Sequence, residues 1–517
     1  MAAGHNRSQE SMTQSFNKIS DMRLSFTVIF CFCILSSNIS YSQTCNCSSN
    51  FQWVKKTFEE NDAGFKYHLS VKGRDFYDYH NKAIQEKINK VKTDNDCLPT
   101  LQEWLRFFRK GHLYIRPAGN NNATSPIPEV LDTVAIKNRF KDWPRYKLNI
   151  EEFKTYLSKK KTQDFEGIWE TVPYKIAIKK IGNEYKGILV EALPPYWEEG
   201  QVKLEITNID GKQSGVVYRL DHSKVENENV QEIGQNYLQV SGYRLKRLFP
   251  VLPTETEVQN WLKLSSRNTY LDQLDKNTVY FRIPSFGPNY KKAIDSILVV
   301  NKKLLSRTPN LIIDIRGNGG GSDYSFTNII PYLKTNEINV TGVEYLSTVL
   351  NNQRMMDFVT KPEYKDVFTN KQKEWAKKSF DTLQKHLGEF VLLDESLEDD
   401  DTNTPDTVLP FPKQVGIIID DGVGSTAEQF LLAAKQSRKV KLFGTSTFGS
   451  LDIANMYFVR SPCGEYELGY SLSKSKRLPQ YVLDERGIQP DFFISEDVPG
   501  YHWVSFVKTT LEYANKK

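Results

Sequence analysis

From about residue 270 onward, apolar runs of strand length alternate with stretches whose apolar residues recur at helical spacing. The apolar runs include TVYFRIPSF, LIIDIRG and VGIIID, and helical patterns lie between them at 289 to 305 and at 323 to 334. Strands that are apolar throughout and are separated by helices indicate a mostly parallel sheet that is covered on both faces. We therefore predict an α/β core over residues 266–517.

The apolar run that ends at Ile419 leads into a glycine-rich turn, DDGVG, which places Ser425 at the start of the next helical pattern. A serine in this position lies beside unpaired helix N–H groups, which would stabilise an alkoxide or a tetrahedral oxyanion. A structural interpretation competes, because Ser425 and Glu428 match the S-x-x-E capping box. The motif also differs from the G-x-S-x-G elbow, since Ala427 stands where the second glycine would fall. The motif alone leaves a nucleophile and a helix cap open.

Composition excludes several classes of protein. The chain has 517 residues, which is enough for about three domains. Its 68 Lys and Arg residues nearly balance 63 Asp and Glu residues, and no basic stripe indicates a nucleic-acid partner. Charged residues at 25% and aromatic residues at 12% are typical of a globular protein.

The first 43 residues are predicted to be a signal peptide region. Arg23 precedes the apolar run LSFTVIFCFCIL, and small or polar residues follow it. This run is too short for a comfortable membrane span, so we expect cleavage near residues 42 to 44. The prediction is a secreted protein or one of the periplasm or cell envelope. Membrane association would require an uncleaved signal or a lipid on Cys45.

Four cysteines lie beyond the signal region, at Cys45, Cys47, Cys97 and Cys463. In an oxidising compartment we expect Cys45 or Cys47 to bridge to Cys97, although the full connectivity does not follow from the sequence. A zinc site is disfavoured, because C-x-C lacks the usual ligand spacing and no histidine pair follows. We predict no metal.

Two further regions precede the core. Residues 44–149 form a predicted N-terminal helical region, with apolar positions three and four apart in FQWVKKTFEEN and NKAIQEKINKVK. Residues 150–265 form a predicted small β-rich module, because short alternating strands such as YKIAIKKI and YKGILVEAL are separated by turn residues.

Five motifs in one order, TVYFRIPSF, LIIDIRGNGGG, VGIIIDDGVGSTAEQF, KLFGTSTFGS and LDERGIQPDFF, resemble the catalytic core of the tail-specific (C-terminal processing) and tricorn-core serine peptidase family. The resemblance covers roughly residues 270 to 495. It implies a ClpP/crotonase-like spiral fold, a peptide or protein substrate, and a peptidase that uses Ser425 as nucleophile without a cofactor.

The family has two branches that activate the serine differently. One uses a lysine in a T-x-G-K-G segment, but this chain reads TFGSLD, with Ser450 at the lysine position. Lys435 is predicted to be a solvated helix residue. The tricorn-like branch takes a histidine from an acidic residue–glycine–histidine segment after the N-terminal helices. This chain has Lys110-Gly111-His112, so the resemblance implies His112 as the base, with Lys110 departing from the pattern.

The resemblance also implies a carboxylate just before the R-G-hydrophobic-x-P-D motif. Aligned on Arg486 and Gly487, this carboxylate is Asp484, with Glu485 as the alternative, and we expect it to orient the histidine ring. The oxyanion hole is expected to use the backbone N–H of Gly319 or Gly320 together with that of Thr426.

One other class of function stays open. Retinoid-binding relatives use the same fold for apolar ligands, so the resemblance is also compatible with a non-catalytic apolar-ligand-binding or scaffold protein. A nucleotide loop is excluded for GNGGG, because neither G-x-G-x-x-G nor a phosphate-loop lysine is present.

Overall fold

The structure is a computed structural model that describes residues 45–92, 94–118, 133–209, 212–220, 222–227, 230–264, 267–365, 367–393, 408–495 and 497–514. The predicted signal peptide region, residues 1–43, lies outside this part of the chain. Residues from Cys45 onward form one compact unit.

The N-terminal region is helical, and its helices bury apolar side chains at three- and four-residue spacing. Phe51, Val54 and Phe58 lie on one face of the first helix and are almost fully buried. The rings of Phe51 and Phe58 pack edge-on against Trp104 of the fourth helix, and Val54 belongs to the same buried cluster. The elements are α1 (Cys47–Asn61), α2 (Phe65–Lys72), α3 (Arg74–Ile88), α4 (Asp94–Arg106), β1 (Tyr114–Pro117), α5 (Thr133–Arg139) and α6 (Ile150–Lys159).

Two disulfides fasten this region. Cys47 is bonded to Cys97, which joins α1 to α4 and confirms that one of the two closely spaced cysteines bridges to Cys97. Cys45 is bonded to Cys463, 418 residues away, which the sequence did not predict.

The β module is a nine-stranded antiparallel sheet and is larger than the small module predicted. The strands are β2 (Gly167–Thr171), β3 (Tyr174–Ile181), β4 (Glu184–Glu191), β5 (Val202–Ile209), β6 (Lys212–Tyr218), β7 (Lys224–Asn227), β8 (Val230–Ile233), β9 (Tyr237–Val240) and β10 (Tyr243–Phe249). Their order in the sheet is β7-β6-β5-β4-β3-β2-β10-β9-β8. The turn at Gly182-Asn183 joins β3 to β4, and Gly182 has a φ of 62°, which glycine adopts without steric cost.

The remaining elements alternate between strands and helices. They are α7 (Thr256–Leu264), β11 (Tyr270–Gln273), β12 (Thr278–Arg282), α8 (Pro288–Val300), α9 (Lys302–Leu305), β13 (Asn310–Asp314), α10 (Ile330–Leu333), β14 (Val343–Leu346), α11 (Val349–Thr360), α12 (Asn370–Gln384), β15 (Phe390–Val391), β16 (Gln414–Ile419), α13 (Thr426–Ala434), β17 (Val440–Gly444), β18 (Ile453–Arg460), β19 (Tyr466–Ser475), β20 (Phe492–Phe493) and α14 (Trp503–Ala514).

Six of these strands form a sheet in the order β11-β12-β13-β16-β17-β20. The pairings from β12 to β20 are all parallel, and only β11 is antiparallel. Leu311 and Ile313 pack on one face, in the cluster that includes residues of α8 and α13, whereas Ile312 packs on the other face with residues of α14. Continuous apolar strands are therefore required here, as the sequence indicated.

A third, five-stranded sheet is antiparallel and crosses between regions. Its strand β19 pairs with β18, with β14 and with β1, which comes from the helical region. This pairing brings the residues just after α4 against the core.

The fold is α/β, as predicted. The expectation of a mostly parallel sheet describes one of the three sheets in the described residues, and the largest sheet is antiparallel. None of the described helices combines the length and the apolar character that a bilayer crossing requires.

Candidate active site

Ser425 lies between the end of β16 and the first residue of α13, in a strained backbone conformation. Its φ of 57° and ψ of −128° are in a region that costs a non-glycine residue about 1–3 kcal/mol. Its side chain makes no capping hydrogen bond to the helix. The capping-box interpretation is therefore wrong for the Ser425 hydroxyl.

Glu428, the other half of the supposed capping box, has a different role. Its buried carboxylate accepts hydrogen bonds from the N–H groups of Gly449 and Ser450, both at 2.8 Å, and from the hydroxyl of Thr447. Glu428 therefore fixes the loop at 447–450, which lies beside the serine. The sequence signal for this role was a carboxylate on the apolar helix α13.

His112 is next to Ser425. Its Nε2 atom lies 3.0 Å from the Oγ atom of Ser425, and its Nδ1 atom lies 2.8 Å from the carbonyl oxygen of Ile453. A carbonyl oxygen can only accept a hydrogen bond, so Nδ1 carries the proton in the neutral ring. Nε2 is then unprotonated and accepts the hydrogen bond from the serine hydroxyl. This tautomer is the one that a general base requires.

Burial lowers the pKa of His112 to about 4. The hydrogen bond to Ile453 opposes this effect, and the positive charge of Arg109 adds to it. The ring is therefore neutral at pH 7 and ready to accept a proton.

The loop before His112 is fixed by a buried ion pair. Arg109 donates to both carboxylate oxygens of Asp62, at 2.8 and 2.6 Å, and both side chains are almost fully buried. No local pattern in the sequence indicated this pair, because its members are 47 residues apart.

Of two neighbouring glycines, Gly320 lies against Ser425, whereas Gly319 is the one whose N–H group lacks an acceptor among the described residues. The N–H of Gly320 donates to the side-chain oxygen of Asn318 at 3.0 Å. Within the part of the chain that the structure describes, the N–H groups of Gly319 and Thr426 have no acceptor. A Cβ on Gly320 would lie 2.8 Å from the Cβ of Ser425 and from the nitrogen of Thr426, so the glycine is needed for close approach.

Asp484 makes no hydrogen bond to His112. One oxygen of Asp484 accepts the N–H groups of Leu451 and Asp452, at 2.6 and 2.7 Å. Asp452 in return accepts the N–H groups of Leu483 and Asp484, at 2.6 and 2.8 Å. The carboxylate that was expected to orient the ring instead joins two loops.

Burial, reinforced by the nearby charge of Asp452, raises the pKa of Asp484 to about 7. Glu485, the alternative, accepts the backbone N–H of Lys110 at 2.7 Å and likewise makes no hydrogen bond to the ring. The carbonyl of Ile453 occupies the place on Nδ1 that a carboxylate would take.

Lys435 is exposed, and its Nζ atom donates to the carbonyl of Gln489 at 3.4 Å. Among the described residues, no three His, Cys, Asp or Glu side chains are grouped so that they could hold a metal ion. A groove of about 700 Å³ lies between α6 and the β module, and none of the candidate site residues lines it.

Comparison with known proteins gives one family match. Residues 277–494 match the model of peptidase family S41. No curated protein sequence is similar to the chain.

Several solved structures are similar to the chain at low sequence identity. A structure of mature CPAF complexed with lactacystin has 12% identity and a TM-score of 0.49, covering 91% of this chain and 98% of the other. A putative peptidase from Parabacteroides merdae has 13% identity and a TM-score of 0.37, covering 91% and 96%. The photosystem II D1 C-terminal processing protease has 11% identity and a TM-score of 0.35, covering 87% and 94%.

Proposed function

The chain belongs to peptidase family S41 through residues 277–494 and is a serine-type peptidase, and from this premise we propose that it hydrolyses peptide bonds through an acyl-enzyme on Ser425. The contact between His112 and Ser425 carries this proposal, because it joins a nucleophile to a base in the required tautomer. Peptides or proteins are the substrates of such an enzyme.

The reaction proceeds by two acyl transfers. As Oγ of Ser425 bonds to the scissile carbonyl carbon, its proton passes to Nε2 of His112. The tetrahedral intermediate then expels the amine, which takes that proton, and the C–N bond breaks. A water molecule repeats the sequence on the ester, with His112 again as base, and releases the acid and the free serine.

The charge that develops on the carbonyl oxygen needs donors that are already in place. We assign the N–H of Gly319 and the N–H of Thr426 to this role, because neither has an acceptor among the described residues, whereas the N–H of Gly320 donates to Asn318. Removing one such donor typically lowers the rate by about a hundredfold or more.

The carbonyl of Ile453 orients the imidazole in this proposal. It fixes the tautomer through Nδ1, and its dipole stabilises the imidazolium that forms when Nε2 takes the proton. Asp484 and Glu485 instead accept backbone N–H groups of the surrounding loops.

The proposal extends to the setting of the enzyme. The two disulfides are consistent with a secreted or cell-envelope protein, since such bonds persist in oxidising compartments. The parallel six-stranded sheet, covered by helices on both faces, is consistent with the ClpP/crotonase-like spiral.

A fluorophosphonate probe tests the proposal directly. It should label the wild-type protein at Ser425, as mapped by peptide mass spectrometry. Ser425→Ala should abolish labelling and His112→Ala should slow it at least about a hundredfold, the scale of a general base. His386→Ala, at an exposed histidine that hydrogen bonds to Glu389, serves as the control and should label normally.

Folded wild-type protein that takes no label at Ser425 would contradict the proposal. If such protein also bound an apolar ligand saturably, the non-catalytic binding function would replace it.

A further inference from the structure

The backbone at His112 needs support from outside its own loop. Its φ of 52° lies in the left-handed region, which residues other than glycine adopt at a cost. Such a conformation persists only where surrounding contacts hold it. Two buried side chains, Arg109 and Ser471, supply those contacts, and the buried carboxylate of Asp62 holds both of them. None of the three hydrogen bonds to Ser425.

Arg109 holds the loop through its backbone carbonyls. Its Nε atom donates to the carbonyl of Gly111 at 3.1 Å, and an Nη atom donates to the carbonyl of His112 at 3.0 Å. The same guanidinium is fixed by two hydrogen bonds to Asp62. Because a guanidinium is planar, the carboxylate on one side determines where the two carbonyls must lie on the other.

Ser471 joins this pair to the strand that faces the imidazole. Its hydroxyl donates to the carbonyl of His112 at 3.0 Å and lies 3.5 Å from the carbonyl of Ile453, the acceptor for Nδ1. Its N–H donates to Asp62 at 3.1 Å. Ser471 therefore contacts the backbone of the base, the carbonyl that orients the ring and the carboxylate that holds Arg109.

We propose that Ser471, supported by the Asp62–Arg109 pair, is a positioning residue that sets the imidazole of His112 against Ser425. This inference rests on the proposed function. It assigns to a buried serine and a buried ion pair the task that a carboxylate on Nδ1 performs in other serine peptidases. Displacement of a catalytic group by about 1 Å can cost about a hundredfold in rate, so the effect of losing this support is measurable.

Ser473 provides a matched control. Ser471 and Ser473 lie two residues apart on β19, and both are fully buried. The Ser473 hydroxyl donates to the carbonyl of Ala454 at 3.2 Å and accepts from Asn455 at 2.8 Å, and it makes no hydrogen bond to His112. Ser471→Ala and Ser473→Ala therefore remove the same group from the same strand, but only the first removes a contact with the base.

The experiment compares the two variants with the wild-type full chain on one peptide substrate. We expect Ser471→Ala to lower kcat by about tenfold or more while KM changes less than about twofold, because the base moves and substrate contacts stay. Ser473→Ala should retain kcat within about twofold of the wild type. Its change in melting temperature should be similar to that of Ser471→Ala. Ser471→Thr, which keeps the hydroxyl, should recover most of the lost kcat.

A second readout does not depend on turnover. The nitrogen-15 chemical shifts of the His112 ring should show protonated Nδ1 in the wild type and in Ser473→Ala, and tautomer exchange in Ser471→Ala. If the two alanine variants had equal kcat and equal ring shifts, the inference would be overturned. If the probe still labelled Ser425 in the wild type, the proposed function would stand. Absence of label on wild-type Ser425 would instead overturn the proposed function, and the inference with it.

Discussion

The imidazole of His112 and the hydroxyl of Ser425 lie 3.0 Å apart although 313 positions separate them in the chain. Ser425 follows a strand of the parallel sheet, whereas His112 follows the N-terminal helices and is brought in when β1 pairs with β19. The site therefore exists only when both regions are folded against each other.

Glu428 is expected to stabilise the loop beside the nucleophile. Glu428→Gln replaces an acceptor oxygen with an amide group that cannot accept from all three of its donors, and should lower the free energy of unfolding by about 2–4 kcal/mol. Glu485→Gln, at an exposed side chain with one backbone hydrogen bond, is the control and should cost less than about 1 kcal/mol. Denaturant unfolding measures both, and equal costs would contradict the assigned role.

Gly320 is expected to be essential because of its proximity to the nucleophile. Gly320→Ala places a Cβ 2.8 Å from the Cβ of Ser425 at a φ of 101°, so the backbone must shift and probe labelling should fall by about a hundredfold. In the part of the chain that the structure describes, a Cβ on Gly319 meets no atom within 4 Å, so Gly319→Ala should have the wild-type midpoint of denaturant unfolding. The account fails here if Gly320→Ala labels at the wild-type rate.

The pH dependence of turnover should follow the lowered pKa of His112. Because burial brings that pKa to about 4, kcat/KM should rise with pH to a half-maximum near 4 and be level through neutral pH. An ordinary histidine would give a midpoint of about 6.5. Circular dichroism at each pH separates titration from unfolding, and a midpoint near 6.5 in folded protein would count against the assignment.

The same lowered pKa affects stability. Between about pH 4 and 6.5 the folded state binds fewer protons at His112 than the unfolded state, so the free energy of unfolding should fall as pH is lowered through that window. Substituting His112 with Gln should reduce this pH dependence. Chemical unfolding at pH 5 and at pH 7 measures the difference.

Asp484→Asn separates a structural carboxylate from a catalytic one. The amide oxygen still accepts the N–H groups of Leu451 and Asp452, so kcat should change by less than about threefold. Loss of the orienting carboxylate in a serine triad costs about ten-thousandfold, and a fall of that size would restore Asp484 to the catalytic set.

The raised pKa of Asp484 gives this variant a pH signature. Between pH 3.8 and about pH 7 the folded state binds more protons at Asp484 than the unfolded state does. The free energy of unfolding should therefore fall as the pH rises through this window. Asp484→Asn should therefore raise the melting temperature at pH 8 more than at pH 5. A uniform change at both values would contradict this.

The strands of the core could be predicted from the sequence because full burial leaves a continuous apolar run, as in β13 and β16. Ser425 could be identified as a candidate nucleophile for the same reason, since it follows such a run and a glycine-rich turn. The nine-stranded sheet was underestimated, because short alternating strands show that a sheet exists but not how many strands join it.

The orientation of His112 could not be predicted, because the acceptor for Nδ1 is a backbone carbonyl that every residue possesses. The resemblance placed a carboxylate near Arg486, and the structure places Asp484 on the N–H groups of Leu451 and Asp452 instead. The Asp62–Arg109 pair and Ser471 come from three elements far apart in sequence, so no local pattern connects them.

Detection of the acyl-enzyme tests the central claim most directly. Wild-type protein mixed with an activated peptide ester should gain the mass of the acyl group at Ser425, as seen by intact and peptide mass spectrometry after acid quench. We predict a stoichiometric adduct at Ser425 that forms much more slowly in His112→Ala and never in Ser425→Ala. Turnover of the ester without any adduct at Ser425, or an adduct that forms at the same rate without His112, would contradict the account.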